Sequence, residues 1–202
     1  MSATVRTMEA GDVPEVVRLH EAAFPDNFMT TFGGKFLDAF YRELIVHTDG
    51  YGCVAVEGDR RLVGFCVGGV GAIQGIARGM LRGRPLSFAV PALLNVARSP
   101  ARLARTGRLA LGYLGGGSDA EGDAGEAHLL QIAVVEASRG SGVAERLVGD
   151  FLREMERRGA TTVRLGVKDS NARAISFYQR MGFSEVKGGI YEIRLAASGV
   201  AP

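Results

Sequence analysis

Six consecutive residues, Arg139, Gly140, Ser141, Gly142, Val143 and Ala144, have types and spacing that could do chemistry. They sit between an apolar run and an amphipathic one, where a strand turns into a helix. A helix start leaves backbone N–H groups without intrahelical partners and carries partial positive charge, so it attracts anions. Glycine at 140 and 142 lets a phosphate approach the backbone closely and lets the turn take positive φ. The pattern is neither a three-glycine dinucleotide fingerprint nor a Walker loop, because no Gly-Lys-Ser/Thr follows. Two readings remain: a different pyrophosphate ligand, or a structural turn that binds nothing.

The flanking elements must position this turn. Leu129 to Val135 is apolar apart from Gln131, with β-branched Ile132, Val134 and Val135, which predicts a strand buried on both faces. Val143, Leu147, Phe151 and Met155 recur every fourth residue among Glu145, Arg146, Asp150 and Arg153, which predicts an amphipathic helix. A further strand is predicted over Thr162–Val167, followed by a helix from Asn171. Helical spacing puts Asn171, Ala174, Ile175 and Tyr178 on one face.

Together the two stretches resemble the GNAT superfamily of N-acetyltransferases. Arg139, Gly142 and Ala144 fill its Gln/Arg-x-x-Gly-x-Gly/Ala motif. Asn171, Ala174, Tyr178, Gly182 and Phe183 fill its Asn-x-x-Ala-x-x-x-Tyr motif and the Gly-Phe turn that follows. The resemblance covers residues 127–195 closely and the first seventy loosely. It implies an α/β (α+β) GNAT fold, a central mixed and mostly antiparallel sheet flanked by helices. It also implies acetyl-CoA as donor and a primary amine as acceptor, joined by direct attack without an acyl-enzyme.

On that resemblance the amides of Arg139, Gly140, Ser141, Gly142, Val143 and Ala144 cradle the pyrophosphate. Backbone groups of Ile132 and Val134 pair with the pantetheine arm. The Asn171 side chain reaches the same cofactor, and Tyr178 meets it as the acid for the departing thiolate. A phenol of pKa about 10 and a thiol of about 8.5 make that transfer roughly balanced; the bland alternative is an amphipathic core tyrosine. His128 fills a slot where relatives often place Glu or His, and its imidazole suits removal of an ammonium proton. A purely structural histidine is the alternative, with Glu126 and Gln131 acting through water as rival bases. An amine that arrives neutral needs no base.

Composition bounds the rest. A chain of 202 residues, 47% hydrophobic and 23% charged, predicts one globular domain over 1–202. Cys53 and Cys66 lie in strand-like runs, and His20, His47 and His128 are scattered, so no metal site is expected. The N-terminus lacks the apolar core of a signal peptide and no run spans a bilayer, which predicts a cytoplasmic protein without an integral membrane segment. Nucleic-acid binding is not expected, since the net charge is only +2 and no recognised module occurs. Family habit allows a homodimer.

The first half predicts a strand over Ala3–Thr7 and a helix capped by Asp12 and Glu15 that runs to Ala23. A Phe-rich second helix follows from Thr30 or Thr31 to Val46. A hairpin then joins Cys53–Glu57 to Arg61–Val70 through Gly58-Asp59. Residues 71–126 form an insertion between the third and fourth strands: an Arg-rich helical part, then a Gly/acid-rich loop. Arginines 78, 82, 84, 98, 102, 105 and 108 occur there with no acid before Leu114. That face is either solvated, or contacts an anionic acceptor, or docks peripherally on a membrane through 78–108. The expected acceptor is a small-molecule amine, an amino sugar among them. Alternatives are a protein or peptide amine, or a non-catalytic acyl-CoA-binding module.

Overall fold

The structure is a computed structural model and describes residues 3–27, 29–58, 61–71 and 125–196. The predicted insertion therefore lies, but for its two ends, outside the described residues. In chain order the elements are β1 (Thr4–Thr7), α1 (Val13–Ala23), a 3-10 turn (Thr30–Phe32), α2 (Gly34–Val46), β2 (Gly50–Glu57) and β3 (Arg61–Val70). After residues 72–124 come β4 (Glu126–Val134), a 3-10 turn (Glu136–Ser138), α3 (Val143–Arg157), β5 (Thr162–Gly166), α4 (Ala172–Arg180), β6 (Ser184–Lys187) and β7 (Ile190–Arg194). The seven strands form one sheet in the order β1-β2-β3-β4-β5-β7-β6. Every described pairing is antiparallel except β4 with β5.

Strand alternation divides the core between two faces. Cys53, Ala55, Val63, Cys66, Val163 and Leu165 pack against Val143, Leu147, Phe151 and Met155 of α3. Val54, Phe65, Val67 and Ala133 pack against Val13, Val16 and Val17 of α1 and Leu37, Phe40, Tyr41 and Leu44 of α2. Each helix buries the stripe its periodicity prescribes. Cys53 and Cys66 are directly opposite in the β2–β3 register, and both are buried free thiols.

Two local expectations need correction. Asp12 does not cap α1 through its side chain; its carboxylate takes the Arg6 guanidinium at 2.7 Å on each oxygen and the Glu9 amide at 2.8 Å. α2 starts at Gly34, not at Thr30 or Thr31, because the chain first makes a 3-10 turn and Gly33 takes φ 85°. Its core stripe is Leu37, Phe40, Tyr41 and Leu44, while Phe32 and Phe36 pair with each other at 4.8 Å and are only half-buried.

The core face of α1 also includes His20, fully buried beside Phe24, Tyr41 and Phe65. Its Nδ1 lies 2.6 Å from the Tyr41 hydroxyl, and its Nε2 has no hydrogen-bond partner among the described residues. Burial pushes its pKa down to about 4. The unfolded chain therefore binds this proton below pH ~6.5 while the fold resists it to about 4, so stability falls with pH across that window. The expected loss is on the order of 2–3 kcal/mol. Thermal melts of wild type and His20→Gln between pH 7 and 4.5 check this: the wild type should lose more, and parallel curves would contradict it.

A second stability prediction concerns Gly68. A Cβ there would collide with the His128 carbonyl and lie 2.6 Å from the Phe151 ring. Gly68→Ala is expected to cost about 1–3 kcal/mol through overpacking, read as a lowered denaturation midpoint. An unchanged midpoint would show that β3 and α3 are less closely packed than described.

Candidate functional site

The site begins where two strands part. β4 and β5 pair only from Glu126–Thr162 to His128–Arg164. Beyond that point β4 continues with β3 and β5 with β7. Leu129 to Val134 thus has no strand partner on its β5 side. The cause is local: Val67 pairs with Gln131 but Gly68 with Leu129, leaving Leu130 unmatched as a bulge. A bulge bends its strand and sharpens the twist, and Gly68 accommodates the close approach of the β4 backbone. Ile132 and Val134, expected to meet a ligand through their backbone, lie on this free edge opposite Cys66 and Gly64.

β4 leads through the 3-10 turn into the glycine pair. Gly140 and Gly142 take φ 78° and 79°, the left-handed region that favours glycine, and Gly142 is the N-cap of α3 with no side-chain cap. Ser141 Oγ donates to the Ser138 carbonyl at 2.7 Å, which tightens the turn. The first intrahelical bond runs from the Arg146 amide to the Gly142 carbonyl. The amides of Val143, Ala144 and Glu145 precede it at the positive end of α3. A Cβ at Gly140 would meet nothing within 4 Å, so the turn is open at that position. Arg139 is exposed, and its Nε donates to the Val134 carbonyl at 3.4 Å.

α4 contributes the second motif. Asn171 is its N-cap, and its Oδ1 accepts from the Ala174 amide at 3.1 Å, which leaves the side-chain nitrogen to offer to a ligand. Tyr178 is 6% exposed, with its ring 5.1 Å from Phe177 and 5.5 Å from Phe183. Among the described residues its hydroxyl has no hydrogen-bond partner. Burial pushes its pKa up, with a smaller contribution from nearby Cys66, so the phenol stays protonated. Ala174 and Ile175 pack on the same core.

Ala127 and Leu129 enter the α3 core, so alternation sends His128 to the opposite face of β4. His128 Nε2 lies 2.9 Å from Oε1 of buried Glu126. The other Glu126 oxygen accepts from Arg164 Nη1 at 2.6 Å, and Arg164 Nε donates to Glu192 at 2.7 Å. Burial lowers the His128 pKa; Glu126 raises it and Arg164 lowers it further. A proton affinity below that of an ordinary imidazole leaves the ring neutral at pH 7, with Nε2 facing Glu126. Sequence reasoning named Glu126 only as a rival base and missed Arg164 and Glu192, which lie on other strands. Gln131 is half-buried on the free stretch of β4.

A mixed sheet that opens between a parallel strand pair, with a glycine turn and helix start beside the opening, defines the GNAT fold. Residues 90–183 match the family model described as Acetyltransferase (GNAT) family. Over 60 residues it is 37% identical to N-alpha-acetyltransferase 30 of Schizosaccharomyces pombe, covering 30% of this chain and 40% of that protein. It is 40% identical over 60 residues to the ribosomal protein bS18-alanine N-acetyltransferase of Escherichia coli strain K12, with the same shares. The chain thus spans 40% of the length of these curated relatives. Among solved structures, NAA60 of Arabidopsis thaliana in complex with acetyl-CoA superposes with TM-score 0.60 at 16% identity, over 96% of this chain and 99% of that one. Aminoglycoside N-acetyltransferase AAC(6')-Iy in complex with CoA gives 0.62 at 13% identity, over 92% and 90%. At such identities these superpositions establish the fold alone.

Among the described residues no helix is long and apolar enough to cross a membrane, and no three His, Cys, Asp or Glu side chains group as metal ligands.

Proposed function

We propose that this protein is an acetyl-CoA-dependent N-acetyltransferase acting on a primary amine. The observation that carries the reading is the unpaired β4 edge over Leu129–Val134, which leads directly into the uncapped start of α3. An extended amide-bearing arm fits the first and a pyrophosphate fits the second. Acetyl-CoA supplies the activated thioester. Ile132 and Val134 hold the arm by main-chain hydrogen bonds, residues 139–144 hold the phosphates, and Asn171 donates its side-chain nitrogen.

Tyr178 donates a proton to the departing thiolate. Its raised pKa does not disqualify it, because the same burial also raises the proton affinity of a thiolate beside it. His128 Nδ1 accepts the proton of the incoming ammonium from the other face of the sheet. The two groups thus act from opposite sides of the opening, and no covalent enzyme adduct is needed.

The α-amine of a polypeptide is the acceptor class we favour. The two curated relatives named above carry names that specify protein or N-α acetylation. The amino-sugar reading rests on the arginines of 78–108, which lie outside the described residues. The test is an acceptor screen read by thiol release, setting peptides with varied free N-termini against the same peptides blocked at the N-terminus, and against amino sugars. Turnover with free-N-terminal peptides alone is expected. Turnover confined to amino sugars would overturn the acceptor assignment, and no thiol release with any amine would overturn the enzymatic one. Charge reversal at Arg102 and Arg105 separately tests peripheral membrane docking, which predicts salt-sensitive vesicle binding that the reversal abolishes.

A further inference from the structure

We infer that Glu126 and Arg164 are positioning residues that fix the tautomer of His128 and set its proton affinity in opposite directions. The inference rests on the proposed role of His128 as base, and it names what makes that histidine fit for the task. The three side chains come from two strands. Glu126 and His128 are two residues apart on β4 and so share a face, while Arg164 of β5 is the register partner of His128.

The carboxylate of Glu126 is divided between its neighbours. One oxygen faces His128 Nε2 at 2.9 Å and the other accepts from Arg164 at 2.6 Å. A carboxylate only accepts, so Nε2 must carry the proton and Nδ1 must be the basic nitrogen. Glu192 of β7 holds the far side of Arg164 at 2.7 Å, which keeps the guanidinium from rotating away. The β3 partner of His128 is Gly69, which offers no side chain. Burial lowers its proton affinity, and the charged groups placed beside it are Glu126 and Arg164. The negative charge favours imidazolium and the positive charge opposes it, so the imidazole can take a proton in turnover without holding one at rest.

Imidazole NMR titrations of wild type, Glu126→Gln, Arg164→Gln and Arg164→Lys test this independently of turnover. In the wild type the neutral ring should carry its proton on Nε2. Glu126→Gln should move the His128 titration to lower pH and Arg164→Gln to higher pH, while charge-preserving Arg164→Lys should stay near wild type. The acid limb of kcat/KM should follow the same shifts, and Glu126→Gln should lower kcat/KM at neutral pH roughly tenfold. A His128 titration that is unmoved, or that moves the same way in both neutralised variants, would overturn the inference. NMR shifts of the expected signs with an unmoved acid limb would uphold the positioning role and overturn His128 as the base.

Discussion

Tyr178→Phe is expected to lower kcat by about 10²-fold or more while leaving acetyl-CoA affinity within a few-fold of wild type. The substitution isolates one atom. The ring is 6% exposed and packs on Phe177 and Phe183, so phenylalanine keeps every ring contact. The hydroxyl has no partner among the described residues, so its loss leaves no described donor or acceptor unpaired, and the variant is expected to fold. A stable variant with full turnover would show that Tyr178 is a core residue only. Tyr178→Ala would not separate the cases, because emptying a buried aromatic site costs about 3–5 kcal/mol.

The second large effect is expected at the glycine turn. Ser141 is exposed between two glycines of positive φ, and its side chain makes one hydrogen bond, to the Ser138 carbonyl. Ser141→Glu therefore places a carboxylate at the start of α3 with little cost to the fold, where the helix dipole favours it. A pyrophosphate in the same place would meet that charge. Repulsion of about 1–3 kcal/mol follows, a ten- to hundredfold loss of cofactor affinity. Gly142→Glu tests the same site less cleanly, since φ 79° strains any L side chain.

The pattern of what could be read from the chain has physical causes. The strand, glycine turn and helix over 129–157 were legible, because an apolar run, two glycines and an amphipathic stretch in succession dictate that local structure. The helix of Tyr178 was equally plain from its periodicity. Glu126 and Arg164 were not, because 38 residues separate them and only strand register brings them together. His20 escaped for a related reason: it occupies an apolar position of α1, and its partner Tyr41 comes from another helix 21 residues away. The capping role of Asp12 failed because Arg6, on the adjacent strand, competes for the same carboxylate.

The central claim is that the opening between β4 and β5, with the turn at 139–144, holds acetyl-CoA. Calorimetric titration of wild type and Ser141→Glu with acetyl-CoA and with CoA tests it most directly. The account predicts one-to-one binding of both ligands to the wild type, weakened at least tenfold in the variant at unchanged melting temperature. No binding to the wild type, or equal affinity in the two proteins, would contradict it.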